Sequence, residues 1–192
     1  GICGVSAEPE DAGRLLWSNT QWSPATTAAS PVQLTESEIA VFGSYGAGGG
    51  KIKVNFDGTS YSAELVESHK ATEGISSDQQ TPILIGNHIW TVMPENAGGL
   101  KKQLVCYNIN DLRNPVWTSG QKLRFGRGLG PYIVRGDRLF LLDDDANLYI
   151  FKIAEKSAEL ISQHTITDGI EAWGPIAMAG KYMLMRDSKN LF

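Results

Sequence analysis

The chain has 192 residues, 42% hydrophobic and 20% charged, with a net charge of −4 at pH 7, the proportions of an ordinary globular protein and not of a disordered one. The acidic balance and the lack of a basic cluster exclude a nucleic-acid or anionic-membrane surface. No run approaches the roughly 18–20 continuous apolar residues of a membrane helix, and no charged-then-apolar leader opens the chain, which begins mid-pattern at GICGVS and reads as an excised piece.

In chain order, Ile2–Ser6 and Arg14–Asn19 read as two strands. A phrase then recurs four times: a small or polar run ending in Pro, a short apolar strand, a tight turn, and a second apolar strand. The copies are SPVQLTESEIAVFGS from Ser30, TPILIGNHIWTVMP from Thr81, GPYIVRGDRLFLLDD from Gly130 and GPIAMAGKYMLMRD from Gly174. Their prolines, Pro31, Pro82, Pro131 and Pro175, stand 51, 49 and 44 residues apart. The first strands (A) are Val32–Thr35, Ile83–Ile85, Tyr132–Arg135 and Ile176–Ala179; the second (B) are Ile39–Gly43, His88–Met93, Arg138–Leu142 and Tyr182–Arg186. Gly86-Asn87, Gly136-Asp137 and Gly180-Lys181 have the Gly-led composition of two-residue hairpins. The nearly continuous apolarity of the B strands predicts burial on both faces.

Third strands (C) follow at Lys51–Phe56, Lys102–Ile109 and Asn147–Ile153, and fourth strands (D) at Ser62–Ser68, Pro115–Ser119 and Ala158–Ile166. The D strands alternate more clearly, as suits an edge with one wetter face. Ile2–Asn19 reads as strands C and D of a preceding unit, and Asn190–Phe192 as the start of another strand C. Stretches near Thr26 and Ser76 read as connecting loops, and no helix longer than a turn or two is predicted.

A strand-only repeat with a period in the forties is the signature of an all-β propeller of four-stranded antiparallel blades, with A innermost. About four blades' worth is present in a single domain spanning 1–192: strands C and D in 1–19, blades at 30–68, 81–119 and 130–166, and strands A, B and the start of C in 174–192. Either the chain is part of a larger propeller, or Ile2–Asn19 completes the last blade and closes a four-bladed ring. The first is favoured, since ending inside an apolar strand leaves an unpaired edge.

AEPEDAGRLLW, Ala7 to Trp17, has the spacing of a Trp-docking motif, with Ala7, Gly13 and Trp17 in register and Pro9 and Ala12 replacing its acidic and Thr positions. A worn copy ends at Trp117 in NDLRNPVW, with Arg113 in the Gly position; Leu160 replaces the Trp in the next unit. With the runs GSYGAGG, QQTP, FGRGLGPY and AWGPIAMAG, the chain resembles end to end the C-terminal part of the PQQ-like, quinoprotein alcohol dehydrogenase-like propeller proteins of bacteria. The resemblance implies that Trp17 and Trp117 are structural staples between blades. It also implies a periplasmic or secreted location and a noncatalytic binding or scaffolding role in the cell envelope, with a protein partner and the remainder of the propeller. One related use of the fold is a lipoprotein scaffold that helps assemble outer-membrane barrels. A true quinoprotein dehydrogenase is expected to carry vicinal cysteines, a Trp stacked on the quinone, a catalytic Asp and Glu/Asn/Asp ligands for Ca²⁺. This chain has no adjacent cysteines and no such set, so no PQQ or Ca²⁺ is expected from these residues. The alternatives are an alcohol or sugar oxidoreductase whose cofactor residues lie outside this segment, and a carbohydrate-active propeller with Glu171 on its rim.

Among local motifs, LDDDANL puts Asp143, Asp145 and Asn147 at alternate positions, like the opening of a calcium loop. Leu148 stands where that loop needs Gly and no Glu closes it, which favours a solvated hairpin turn over a cation site. GSYGAGGGK misses the phosphate-loop spacing and reads as a flexible B–C hairpin, and GRGLGP lacks the strand-then-helix setting of a dinucleotide loop. His69, His88 and His164 lie in different repeats without ligand spacing, and no Gly-x-Ser-x-Gly elbow occurs. Cys3 and Cys106 sit in apolar runs and read as small buried hydrophobes. The remaining candidates are geometric. Loops entering the innermost strands ring one end of a propeller's channel and carry its binding residues. Here these are Thr26-Thr27, Gln79-Gln80, Arg127 and Glu171-Ala172-Trp173, with Thr27, Gln79, Gln80, Arg127, Glu171 and Trp173 as candidate contacts to a small carbohydrate or peptide.

Overall fold

The Pro-led phrases fold as the inner hairpins of successive antiparallel sheets. The computed structural model describes residues 1–169 and 171–192. The chain opens with the pair β1 (Ile2–Val5) and β2 (Leu15–Asn19). Three four-stranded sheets follow: β3 (Val32–Gln33), β4 (Glu38–Gly43), β5 (Gly48–Phe56) and β6 (Tyr61–His69); β7 (Ile83–Ile85), β8 (His88–Val92), β9 (Leu104–Asn108) and β10 (Asp111–Thr118); and β11 (Tyr132–Arg135), β12 (Arg138–Leu142), β13 (Asn147–Ile153) and β14 (Ala158–Thr165). In each, neighbours in the sheet are neighbours in the chain, as in a propeller blade. The pair β15 (Ala177–Ala179) and β16 (Tyr182–Leu184) closes the described strands. The fold is all-β. The only helix among the described residues is a single 3-10 turn at Gly98–Leu100, so none is long and apolar enough to cross a membrane.

Apolar layers between consecutive sheets hold the array together. Ile2 and Trp17 pack with Val41 and Ile52 of the first full sheet. Phe42 and Ala40 of that sheet meet Ile89, Val105 and Tyr107 of the second. Trp90 and Leu104 of the second meet Leu139, Leu141 and Phe151 of the third, with Trp117 against their edge. Leu142 and Leu148 of the third meet Ile176 and Met185. Such layers explain the near-continuous apolarity of β4 and β8, which are buried along most or all of their length. β16 departs from that expectation: Tyr182 and Leu184 are exposed, because only its Met183 side packs on the third sheet.

Several boundaries differ from the sequence reading. β3 stops at Gln33 because the Thr35 hydroxyl accepts the Ser37 and Glu38 N–H groups and starts the turn. β10 begins at Asp111 and crosses Pro115 with two register shifts, a position open to proline because β10 is an edge strand. Asn190–Phe192 forms one bridge, Leu191 to Arg186, rather than a strand. The glycine run is no flexible hairpin. Its turn is confined to Ser44–Ala47, and Gly48–Gly50 are buried residues of β5 that pass under His69, Ile75 and Glu67, where a side chain has no room. Cys106 is buried as expected, but Cys3 is exposed, since alternate residues of β1 face away from the first full sheet.

Candidate functional site

Strand B returns to the end of the blade at which strand A began. The B–C turns therefore lie beside the loops entering strand A, and the two sets together wall one groove. It has a volume of about 540 Å³, and its lining includes Tyr45, Gln79, Asn96 and Arg127 from four B–C or entry segments and Trp173 from the loop before β15. Thr26, Asp78, Glu95 and Leu129 complete much of the wall. The chemistry is mixed: two aromatic rings, two amides, one guanidinium and two carboxylates face one space, as in sites for small polar ligands.

Arg127 is the most firmly held of these groups. Its backbone N–H donates to Asp144 Oδ1 at 2.7 Å and its Nε to Oδ2 at 2.8 Å. The Asp144 side chain is 0% exposed and that of Arg127 53% exposed, so a buried carboxylate anchors a guanidinium that reaches into the groove. Hydrogen bonding to Asp144 raises the already high Arg127 pKa, with Glu171 and Asp145 adding to the effect. The guanidinium carbon stands 5.2 Å from the Trp173 ring centre, within cation–π range. The GRGLGP run makes this loop possible. A side-chain carbon at Gly126, Gly128 or Gly130 would fall 2.3 Å from Asp144, 2.5 Å from the Met93 carbonyl and 1.9 Å from the Leu142 carbonyl respectively.

In the turn between β4 and β5, Tyr45 is 79% exposed and sits at φ 56°, a conformation costly for a tyrosine. Asp78 holds it there by accepting the Tyr45 N–H at 3.0 Å, while the Ser44 hydroxyl donates to the Asp78 carbonyl at 2.6 Å. Burial raises the Asp78 pKa from its ordinary value, and the Tyr45 N–H opposes that shift. A group whose pKa is raised by folding stabilises the fold at pH below its unfolded value, near 4, and loses that contribution as the pH climbs through the folded value. Asp78→Asn is therefore expected to melt above the wild type at pH 7, with the gap closing by about pH 4. A variant that melts lower at pH 7 would instead show that the fold needs the charge.

Of the candidates read from the sequence, Gln79, Arg127 and Trp173 line the groove. Thr27 faces a separate cavity of about 90 Å³ beside Ile2 and Trp22, and its neighbour Thr26 takes the place in the groove. Gln80 ties two loops together: its Nε2 donates to the carbonyls of Leu129 at 3.4 Å and Trp173 at 3.3 Å. Glu171, at φ 63°, is half-buried and is not among the lining residues of the groove, though its charge helps raise the Arg127 pKa. Trp17 and Trp117 are both half-buried in layers between sheets, Trp117 with its ring centre 5.5 Å from that of Trp90.

Asp143 and Asp145 occupy the turn between β12 and β13, and Asn147 opens β13. Asp143 is buried and accepts the N–H groups of Asp145 and Asn147 at 3.1 and 2.8 Å and the Tyr149 hydroxyl at 3.3 Å, whereas Asp145 is exposed. Asp187 repeats the device, accepting the Lys189 and Asn190 N–H groups at 2.7 Å, and these bonds hold its pKa down at about 2. Among the described residues, no group of three or more His, Cys, Asp or Glu side chains is placed to hold a metal ion. The groove does not fit a calcium-bound quinone either. Its two lining carboxylates are engaged, Asp78 by Tyr45 and Glu95 by Lys102, and Cys3 and Cys106 lie on different sheets.

The sequence reading missed Asp144, Tyr45, Asp78, Glu95 and Asn96. Two signals pointed to them. The alternation that put Asp143, Asp145 and Asn147 on one side leaves Asp144 on the other, and the hairpin topology puts B–C turns at the same end as the entry loops.

No protein-family model matches the chain, and no curated protein does. Among solved structures, the fold is similar to that of the crystal structure of BamB from Moraxella catarrhalis, at 11% identity and a TM-score of 0.44, over 94% of this chain and 63% of that one. The chain thus spans just under two thirds of the length of the BamB chain that it matches.

Proposed function

We propose that this chain is a noncatalytic binding module of the bacterial cell envelope, periplasmic or secreted, that holds a small polar ligand, a carbohydrate or short peptide, in the groove at its channel mouth. One observation carries the reading. Five separate loops bring Tyr45, Gln79, Asn96, Arg127 and Trp173 to one cavity of about 540 Å³. The charged groups around it are engaged by the protein itself, Arg127 by Asp144 and Glu95 by Lys102, an arrangement suited to holding a ligand rather than to moving protons. Other surfaces of the sheets remain free for a protein partner or for the rest of a propeller.

Tryptophan emission tests the reading, because Trp173 lies in the groove. Titration with panels of oligosaccharides and short peptides should give a saturable change with at least one class. Trp173→Ala, titrated by calorimetry because the reporter is lost, should weaken that binding about tenfold or more, the scale of one aromatic contact. No saturable response to either panel would overturn the reading. So would a quinone absorbance change with alcohol-dependent dye reduction after addition of PQQ and Ca²⁺, which would make the protein an oxidoreductase.

A further inference from the structure

Arg127 is the only cation among the described residues that line the groove, and its charge is already matched. Asp144 takes both its Nε and its backbone N–H, and the Asp144 carboxylate is fully buried from bulk solvent. The other charged groups of the wall, Asp78 and Glu95, are carboxylates; Lys102 matches Glu95, but Asp78 has no cation beside it among the described residues, and Asp145 and Glu171 add negative charge near Arg127. An incoming anion meets a neutralised guanidinium and an excess of negative charge. The uncharged groups are more inviting. Gln79 and Asn96 each offer donors and acceptors, and Tyr45 and Trp173 bring two rings from different loops, on which the C–H faces of a sugar can stack. The apolar pockets that would sort peptide side chains are few, with Ala28 and Leu129 the aliphatic lining residues.

We infer that the groove selects uncharged oligosaccharides over acidic ones, with Asp144 as the positioning residue that sets this preference by fixing and neutralising Arg127. The inference rests on the ligand-binding reading of the same groove. Calorimetric titration of the full chain should compare neutral α- and β-1,4-linked glucose hexamers with a galacturonic acid hexamer. On the wild type, a neutral hexamer should bind at least about tenfold more tightly than the acidic one, the effect of one unmatched charge a few ångströms away in a half-wet groove. Added NaCl should strengthen galacturonate binding and leave the neutral hexamer little changed, because only like-charge repulsion is screened. Asp144→Asn should move the affinity ratio about tenfold toward galacturonate. Glu171→Gln, farther from the core of the loop, should move it the same way by about threefold, and serves if Asp144→Asn fails to fold. Galacturonate binding as tightly as the neutral hexamers, or weakening as salt is added, would overturn the inference while leaving the groove as a binding site. Binding of peptides alone would also overturn it and preserve that reading, whereas failure of every probe would overturn both.

Discussion

Gly48→Ala is expected to cost at least about 3 kcal/mol, lowering the melting temperature by roughly 6–12 °C in a chain of this size. Gly48 opens β5 at φ 86°, and a side-chain carbon there would fall 1.9 Å from the His69 carbonyl oxygen and within 2.7 Å of the Lys70 backbone. The obstruction is backbone at the end of β6, which pairs with β5 through the Gly49–His69 register, so relief requires the two strands to part. Gly13 supplies the control. It has nearly the same φ, 85°, but nothing lies within 4 Å of its added carbon. Gly13→Ala should therefore cost only the conformational strain, about 1–2 kcal/mol. Equal losses for the two variants in urea unfolding would refute the close-approach account.

The second large effect is expected at Trp90. It is 0% exposed and packs between the second and third full sheets with Leu104, Leu139 and Phe151. Trp90→Ala removes the largest buried side chain of that layer and should cost about 3–5 kcal/mol. Its indole N–H finds no partner in the protein, so Trp90→Phe gives up no hydrogen bond and should cost much less than Trp90→Ala. We propose that Trp117, tilted against Trp90 from β10, staples the same two sheets from the outer edge. Being half-buried, it should lose about half as much on truncation to Ala. A larger loss for Trp117→Ala than for Trp90→Ala would make the docking position, and not the layer interior, the dominant tie between these sheets.

The two variants probe different levels at which the fold is encoded. Gly86, Gly136 and Gly180 are legible in the sequence because a two-residue turn is a local event: Gly at positive φ followed by a polar residue joins strands that pair at once. The limits of β7, β11 and β13 follow from the same local alternation and match the sequence reading residue for residue. Where the reading departs from the structure, the cause lies far along the chain. Gly48–Gly50 look like a flexible tip until His69 and Ile75 are known to lie above them.

The groove shows the same division. Its position was readable, since any blade built from sequential hairpins brings its entry loops to one end, and Gln79, Arg127 and Trp173 were found that way. Its chemistry was not readable. Asp144 becomes the anchor of Arg127 only because a loop before β11 folds back over a turn 17 residues later. Gln80 reaches Trp173 only across 93 residues of intervening chain. Strand pairing and turn type arise from neighbours in sequence, so the amino-acid order alone specified the four-stranded repeat. Burial of Asp144, display of Tyr45 and stacking of Trp173 under Arg127 depend on the angle at which one sheet packs on the next, and side-chain volumes summed over whole sheets set that angle.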